Sequence, residues 1–126
     1  MNRIWTAISI LLVLMIGCIT ELTYINKITN DMKDRLLEIN QYVENNSMET
    51  ALKSSNELHE EWDKNHSIMA LFITHDRLEN IDQSVEIINA NIKSDESSDF
   101  FTESARLYAQ LNHLKDTELP TINNIL

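Results

Sequence analysis

Three side chains with the chemistry of metal ligands lie close together near the middle of the sequence. His59, Asp63 and His66 are spaced i, i+4 and i+7, so an α-helix would place all three on one face. Imidazole nitrogens and carboxylate oxygens are common ligands of divalent transition metals. No fourth ligand is evident nearby, and a polar flank beside an apolar helix face has the same spacing. We therefore predict no metal site and retain these three residues only as candidates.

The same stretch begins like the helix of a zinc metalloprotease, because residues 59–63 read His-Glu-Glu-Trp-Asp. Asp63 stands where that motif needs its second histidine. The serines have no context that would activate one of them, and the chain has too few glycines for a phosphate-binding loop. We predict that the protein is not an enzyme and has neither catalytic residues nor a cofactor.

His75 and Asp76 are the next candidates, since they fall between two predicted helices. In such a turn His75 can bind the carbonyl groups that end one helix, while Asp76 caps the next. A histidine that responds to pH or contacts a ligand is the alternative. Trp62 is interpreted as an anchor of the core rather than as a platform for a ligand.

Composition excludes several classes of protein. The 126 residues include 20 acidic and 10 basic side chains, for a net charge of −10, and nucleic acid needs a basic footprint. A single glycine and a single proline favour helices joined by short polar turns over a sheet. The one cysteine, Cys18, excludes an intramolecular disulfide and a zinc site built on thiolates.

The N-terminal segment predicts attachment to a membrane. Residues 4–20 carry no charge and include nine Ile, Leu or Val residues. As a helix they would extend about 26 Å, close to the thickness of the hydrocarbon core of a bilayer. Arg3 precedes the segment and Glu21 follows it, so we expect the N-terminus in the cytoplasm. We predict a signal anchor over residues 1–20, which makes this a single-pass protein of the cell membrane.

Two other modes of attachment remain open. Residues 14–18 read Leu-Met-Ile-Gly-Cys, the small-residue-then-cysteine form of a lipoprotein signal, in which Cys18 would be lipidated after cleavage. A cleaved secretory signal is the third possibility, although no Ala-x-Ala site is visible. Under all three interpretations residues 21–126 form a domain outside the cytoplasm.

Apolar residues recur by threes and fours throughout that domain, as expected of amphipathic helices. We predict helices over about 21–44, 48–74, 77–92 and 99–117, the first of them continuous with the membrane segment. The fold class is therefore all-α, with an N-terminal transmembrane helix continuing into an antiparallel bundle of three to four helices.

Three details of these helices are open to structural testing. The first helix should either pack on its own neighbours or form a coiled-coil dimer through its stripe of Leu22, Ile25, Met32, Leu36, Ile39 and Val43. Asn46 and Glu49 should form a capping box at the start of the second helix. The fourth helix should pack through Phe101, Ala105, Tyr108, Leu111 and Leu114.

Several of these residues carry a resemblance to a known family. The matching pattern is Trp62-x-Lys64, then Leu71-Phe72-Ile73-x-His75-Asp76-x-Leu78-x-x-Ile81-Asp82, and finally Asn123-Asn124-Ile125-Leu126. Over essentially its whole length the chain resembles the bacterial family called domain of unknown function 4363. The resemblance implies a small membrane protein with a helical remainder, and it implies no activity. Arg77 departs from the acidic residue expected there, which argues against a purely acidic cation site.

Together these features predict a non-enzymatic interaction or accessory protein at the outer face of a bacterial cytoplasmic membrane. Its expected partners are membrane lipid, through the N-terminal helix, and another membrane protein. A homo-oligomer is compatible with the sequence. The alternatives are a sensor or ligand-binding domain of the cell envelope, including one that binds a divalent metal, and a lipoprotein that carries the same bundle.

Overall fold

A computed structural model describes residues 2–118, which form four α-helices and contain no strand in that range. The helices are α1 (Asn2–Glu44), α2 (Met48–Met69), α3 (His75–Lys93) and α4 (Ser97–Glu118). The predicted all-α fold is confirmed. Compared with the prediction, α2 ends five residues earlier and α3 begins two residues earlier. The chain after residue 118 lies outside the described residues, including Pro120 and the motif at 123–126.

The helices form a four-membered bundle in which each packs on the next and α4 packs on α1. As residue numbers rise along α1, those of the bonded partners on α2 and α4 fall, so these neighbours are antiparallel, as the short connections require. The bonds are Tyr24–Asn65 (2.7 Å) and Arg35–Glu57 (2.7 Å) between α1 and α2, and Lys33–Asn112 (2.5 Å) and Asn40–Ser104 (2.6 Å) between α1 and α4.

One apolar core fills the bundle. The apolar stripe of α1 is buried from Ile25 to Val43, and Leu22 at its N-terminal end is half-buried. It packs with Leu58 and Trp62 of α2 in the same cluster. Each large apolar side chain buried in this way contributes about 1.5–3 kcal/mol. The stripe therefore packs on the protein's own helices, the first of the two arrangements considered for it.

The predicted face of α4 is partly wrong. As predicted, Leu111 and Leu114 are buried, and Phe101 and Tyr108 pack half-buried against the core. Ala105 is exposed, however, and the fully buried Phe100 and Leu107 were not predicted. The buried residues still follow steps of three and four, but the stripe includes the polar Ser104, whose hydroxyl donates to Asn40 of α1. A polar residue on the buried face obscures the apolar period.

Two turns end helices without glycine. Asn46 (φ 58°) and Asp95 (φ 56°) adopt the left-handed conformation that usually selects glycine. In each turn the next N–H bonds back to the helix: Ser47 to the carbonyl of Tyr42, and Glu96 to that of Asn91. The predicted capping box is therefore wrong, because Asn46 ends α1. Ser47 precedes α2, and its side chain makes no capping bond to the described residues.

Candidate functional site

The three metal-ligand candidates lie on the flank of α2 that faces α3. His59 Nδ1 is 3.7 Å from Asp63 Oδ2 on the same helix, whereas His66 Nε2 is 3.2 Å from Oδ2 of Asp82 on α3. These side chains line an open groove of about 380 Å³. The other residues that line the groove are Ser67 and Glu86.

The groove contains two separate His–carboxylate pairs rather than one convergent set of ligands. Within residues 2–118, no group of three or more His, Cys, Asp or Glu side chains is arranged to hold a metal ion. Both pairs are partly exposed, so even with charged imidazoles each would contribute only about 0–1 kcal/mol. The pairing of His59 with Asp63 is an ordinary contact along a helix surface.

Beneath the groove, Trp62 joins α2 to α3. Its side chain is fully buried, and the indole N–H donates a hydrogen bond to Oδ1 of Asp82. The His66 ring meets the indole edge-on, with centroids 5.9 Å apart and planes at 89°. Asp82 therefore contacts both Trp62 and His66. We call these three residues the Trp62 cluster, and their contacts hold α2 and α3 in one register.

The His75–Asp76 junction is built differently from the prediction. The Ile73 N–H closes the end of α2 by bonding to the Met69 carbonyl at 2.9 Å, and Thr74 is the extended residue before α3. The predicted capping by Asp76 is wrong, because Asp76 is already inside the first turn, where its charge suits the helix dipole. The His75 side chain is 86% exposed and lies 3.9 Å from Glu79.

The remaining candidate residues lie in different surroundings. Leu78 and Ile81 are buried in the core, whereas Phe72 in the α2–α3 turn is partly exposed. Cys18 is a free, exposed thiol on the N-terminal part of α1. The structure does not gather these residues and His75 into one site.

The N-terminal part of α1 stands clear of the bundle. Residues 2–20 are exposed on all sides, and packing begins with the half-buried Glu21 and Leu22. By length and composition, α1 is long and apolar enough to cross a membrane, and it alone among the described helices meets that test. The helix is continuous across the boundary, so the apolar segment and the bundle share one 43-residue element.

A family model described as "Domain of unknown function (DUF4363)" matches residues 19–125. The chain belongs to this family. The resemblance found in the sequence is thereby confirmed. No curated protein and no solved structure matched the chain. The DUF4363 match begins at Ile19, close to the point where α1 enters the bundle.

The structure adds one residue of the Trp62 cluster that the sequence pattern did not assign. Asp82 appears in the family pattern beside Ile81, but nothing in its spacing identifies it as the acceptor for Trp62. A buried tryptophan needs an acceptor for its N–H, which is a signal that one exists. Only the packing of α3 on α2 shows which side chain provides it.

Interhelical polar contacts in the DUF4363 bundle were also not predicted. Arg35 of α1 forks between Glu57 (2.7 Å) and Glu61 (3.2 Å) of α2. On the opposite side, the Ser84 hydroxyl of α3 lies 2.9 Å from Oε1 of Glu103 and 3.0 Å from Oε1 of Gln110. These side chains connect neighbouring helices, so their chemistry fixes helix register.

Proposed function

We propose that this DUF4363 protein is a membrane-tethered, non-enzymatic interaction protein. In this proposal, α1 is a retained signal anchor with its N-terminus in the cytoplasm. The bundle stands on the outer face of a bacterial cytoplasmic membrane and serves as an accessory domain for another membrane protein.

The observation that carries the proposal is the continuity of α1. Its first part exposes large apolar side chains such as Leu12 and Val13, and its second part buries Ile25 to Val43 in the bundle. A continuous helix has no flexible joint between the two parts. The bundle would therefore be held upright at a fixed height, which suits a protein that contacts a neighbour in the same membrane.

The chemistry of the bundle surface supports an interaction role over catalysis. His59 pairs with Asp63 and His66 with Asp82, while Arg35 engages two glutamates. Side chains paired in this way either join neighbouring helices or stabilise the exposed face of a single helix. Together with the net charge of −10, these pairings favour a hydrated surface that contacts another protein.

Attachment and orientation can be tested on the full chain. A Leu11→Glu/Leu14→Glu variant places two charges in the apolar segment, each costing about 2.5–3.5 kcal/mol of insertion free energy at a helix centre. It should appear in the soluble fraction after alkaline extraction of membranes. The matched control, Leu37→Glu, alters an exposed apolar residue of the same helix within the bundle and should remain in the membrane.

Orientation is measured with a single cysteine at Ser47, in a turn at the end of the bundle away from the membrane segment, in a Cys18→Ser background. An impermeant maleimide should label it in intact cells. Labelling only after lysis would contradict the proposed orientation. Intact mass of the mature wild-type chain tests the anchor itself, because a diacylglyceryl adduct on Cys18 would identify a lipoprotein.

The interaction role requires a defined partner. A photoreactive residue at Glu60, on the exposed side of α2, should crosslink one membrane protein in host membranes, and that protein should co-purify in stoichiometric amount. The same residue at Trp5, inside the membrane segment, provides a comparison that reports lipid-facing neighbours. Recovery of the chain as a partner-free monomer would contradict an accessory role.

A further inference from the structure

The last residues of α2 and the turn that follows expose apolar side chains at one end of the bundle. Leu71 is 76% exposed, Ile68 45% and Phe72 36%. Outside the N-terminal segment, the other large apolar side chains exposed to a comparable degree among the described residues are Leu37 and Ile87. Most of this exposed apolar surface is thus gathered within five residues, which we call the apolar turn (Ile68, Leu71 and Phe72).

The apolar turn lies at the end of the bundle from which the N-terminal segment emerges. The Tyr24 hydroxyl donates to Asn65 of α2 at 2.7 Å, and the short connection between α1 and α2 fixes the same pairing, so the two residues lie within about one helical turn of the same height. From Asn65, α2 runs one more turn, about 6 Å, to Met69. The same distance along α1 leads from Tyr24 back to Thr20. The apolar turn therefore lies within about one helical turn of the end of the uncharged segment.

Packing holds the turn in this position. Met69 and Ile73, which flank its tip, are buried in the core, and backbone bonds from Phe72 and Ile73 to the Met69 carbonyl close it. With these neighbours pointing inward, Leu71 is directed away from the bundle. At the corresponding height on α1, exposure gives way to packing at Glu21 and Leu22.

We propose that the apolar turn inserts into the lipid interface beside α1 and gives the bundle a second point of contact with the membrane. This inference rests on the proposed function, because it requires α1 to span the bilayer. Apolar side chains at headgroup depth gain from leaving water. The chain's net charge of −10 argues against attraction to anionic lipid, so the contact is apolar and forms on zwitterionic bilayers. Two points of contact fix the tilt of the bundle.

The test measures the depth of spin labels on the full chain in phosphatidylcholine vesicles. Each variant carries one labelled cysteine in a Cys18→Ser background: Leu71→Cys, Ile68→Cys, Leu37→Cys or Leu12→Cys. Collision with oxygen, which concentrates in lipid, is compared with collision with a water-soluble nickel complex. Labels at 71 and 68 should favour oxygen several-fold more than the label at 37.

The control at Leu37 is matched, since it is 47% exposed on α1 but lies about 24 Å further along the helix from Glu21. The label at Leu12 separates the two proposals. If the label at Leu12 reports hydrocarbon depth while the labels at positions 71 and 68 report exposure to water, the proposal for the apolar turn is overturned and the membrane anchor stands. If Leu12 itself reads water, both fail.

A second copy of the chain is the competing occupant of the apolar turn. It would produce spin–spin broadening at position 71 that disappears when labelled protein is diluted with unlabelled protein, and this result would also overturn the proposal. Circular dichroism of each variant confirms that the helices are intact. Leu71 and Ile68 are both exposed and are substituted in separate variants. If one variant fails to fold, the label in the other still measures the depth of the apolar turn.

Discussion

The indole N–H of Trp62 donates its hydrogen bond to the carboxylate of Asp82, and this contact crosses from α2 to α3. The donor is fully buried, whereas Asp82 lies at the edge of the groove that also contains His59 and His66. The residues first considered as metal ligands therefore lie around a contact that joins two helices.

Replacing Asp82 should destabilise the bundle. In an Asp82→Ala variant the buried indole N–H loses its acceptor, which costs about 1–3 kcal/mol. Asp82→Asn keeps an acceptor oxygen and should lose less. Urea unfolding of the full chain in detergent, followed by circular dichroism, measures both. Glu86→Ala, on the same groove, is the matched control, and a loss equal to that of Asp82→Ala would contradict the role of Trp62.

Thr29 offers a substitution that should stabilise the protein. Its side chain is fully buried in the stripe of α1, and its hydroxyl has no hydrogen-bond partner among the described residues. Thr29→Val removes this buried hydroxyl and should raise the free energy of unfolding by about 1 kcal/mol. Thr29→Ser keeps the hydroxyl, loses a methyl group and should lower it. Equal stability of the two variants would refute this account.

Substitutions at Asp95 test how much the left-handed backbone conformation in its turn costs in stability. With φ at 56°, a Cβ is unfavourable, and alanine lacks the polar side chain that helps aspartate tolerate this conformation. Asp95→Ala should therefore lower the unfolding free energy by about 1 kcal/mol, and Asp95→Gly should be at least as stable as wild type. Glu96→Ala, one residue later, is the control for loss of a charge. Thermal unfolding of the four proteins ranks them.

Tyr42 provides a prediction for pH dependence. A hydrogen bond from its hydroxyl to Glu38 (3.0 Å), with the negative charge of that carboxylate, raises the pKa of Tyr42 above its ordinary value of 10.0. The folded state thus favours the neutral phenol, and this contribution to stability is lost as pH rises through the raised pKa. Ultraviolet titration, with Tyr42→Phe subtracted to isolate the residue, should give a lower pKa in Glu38→Gln. An unchanged value would exclude Glu38 as the cause.

The parts of the fold that follow from local pattern were predictable. Steps of three and four located four helices, and short connections required antiparallel neighbours. The uncharged run from Ile4 to Thr20 predicted the exposed apolar segment without any tertiary information. Local turn chemistry was less decisive, because Asn46 suits both a cap before α2 and the left-handed end of α1.

The parts that depend on pairing between helices could not be predicted. The spacing of His59, Asp63 and His66 places them on one face of α2. Only the packing of α3 on α2 reveals that His66 pairs with Asp82. The same limit applied to the apolar turn, because its height relative to α1 depends on the Tyr24–Asn65 bond. Helical period describes a helix alone, whereas a site depends on which helices meet and at what register.

The register of α4 allows this limit to be tested directly. Leu107 is fully buried although the apolar pattern selected Ala105, which is exposed. Leu107→Ala should therefore cost about 2–5 kcal/mol, as large-to-small changes in a core do. Ala105→Leu should be nearly neutral, because the added atoms enter solvent. Urea unfolding of the full chain distinguishes the two registers, and a large loss from Ala105→Leu with little change from Leu107→Ala would restore the face predicted from sequence.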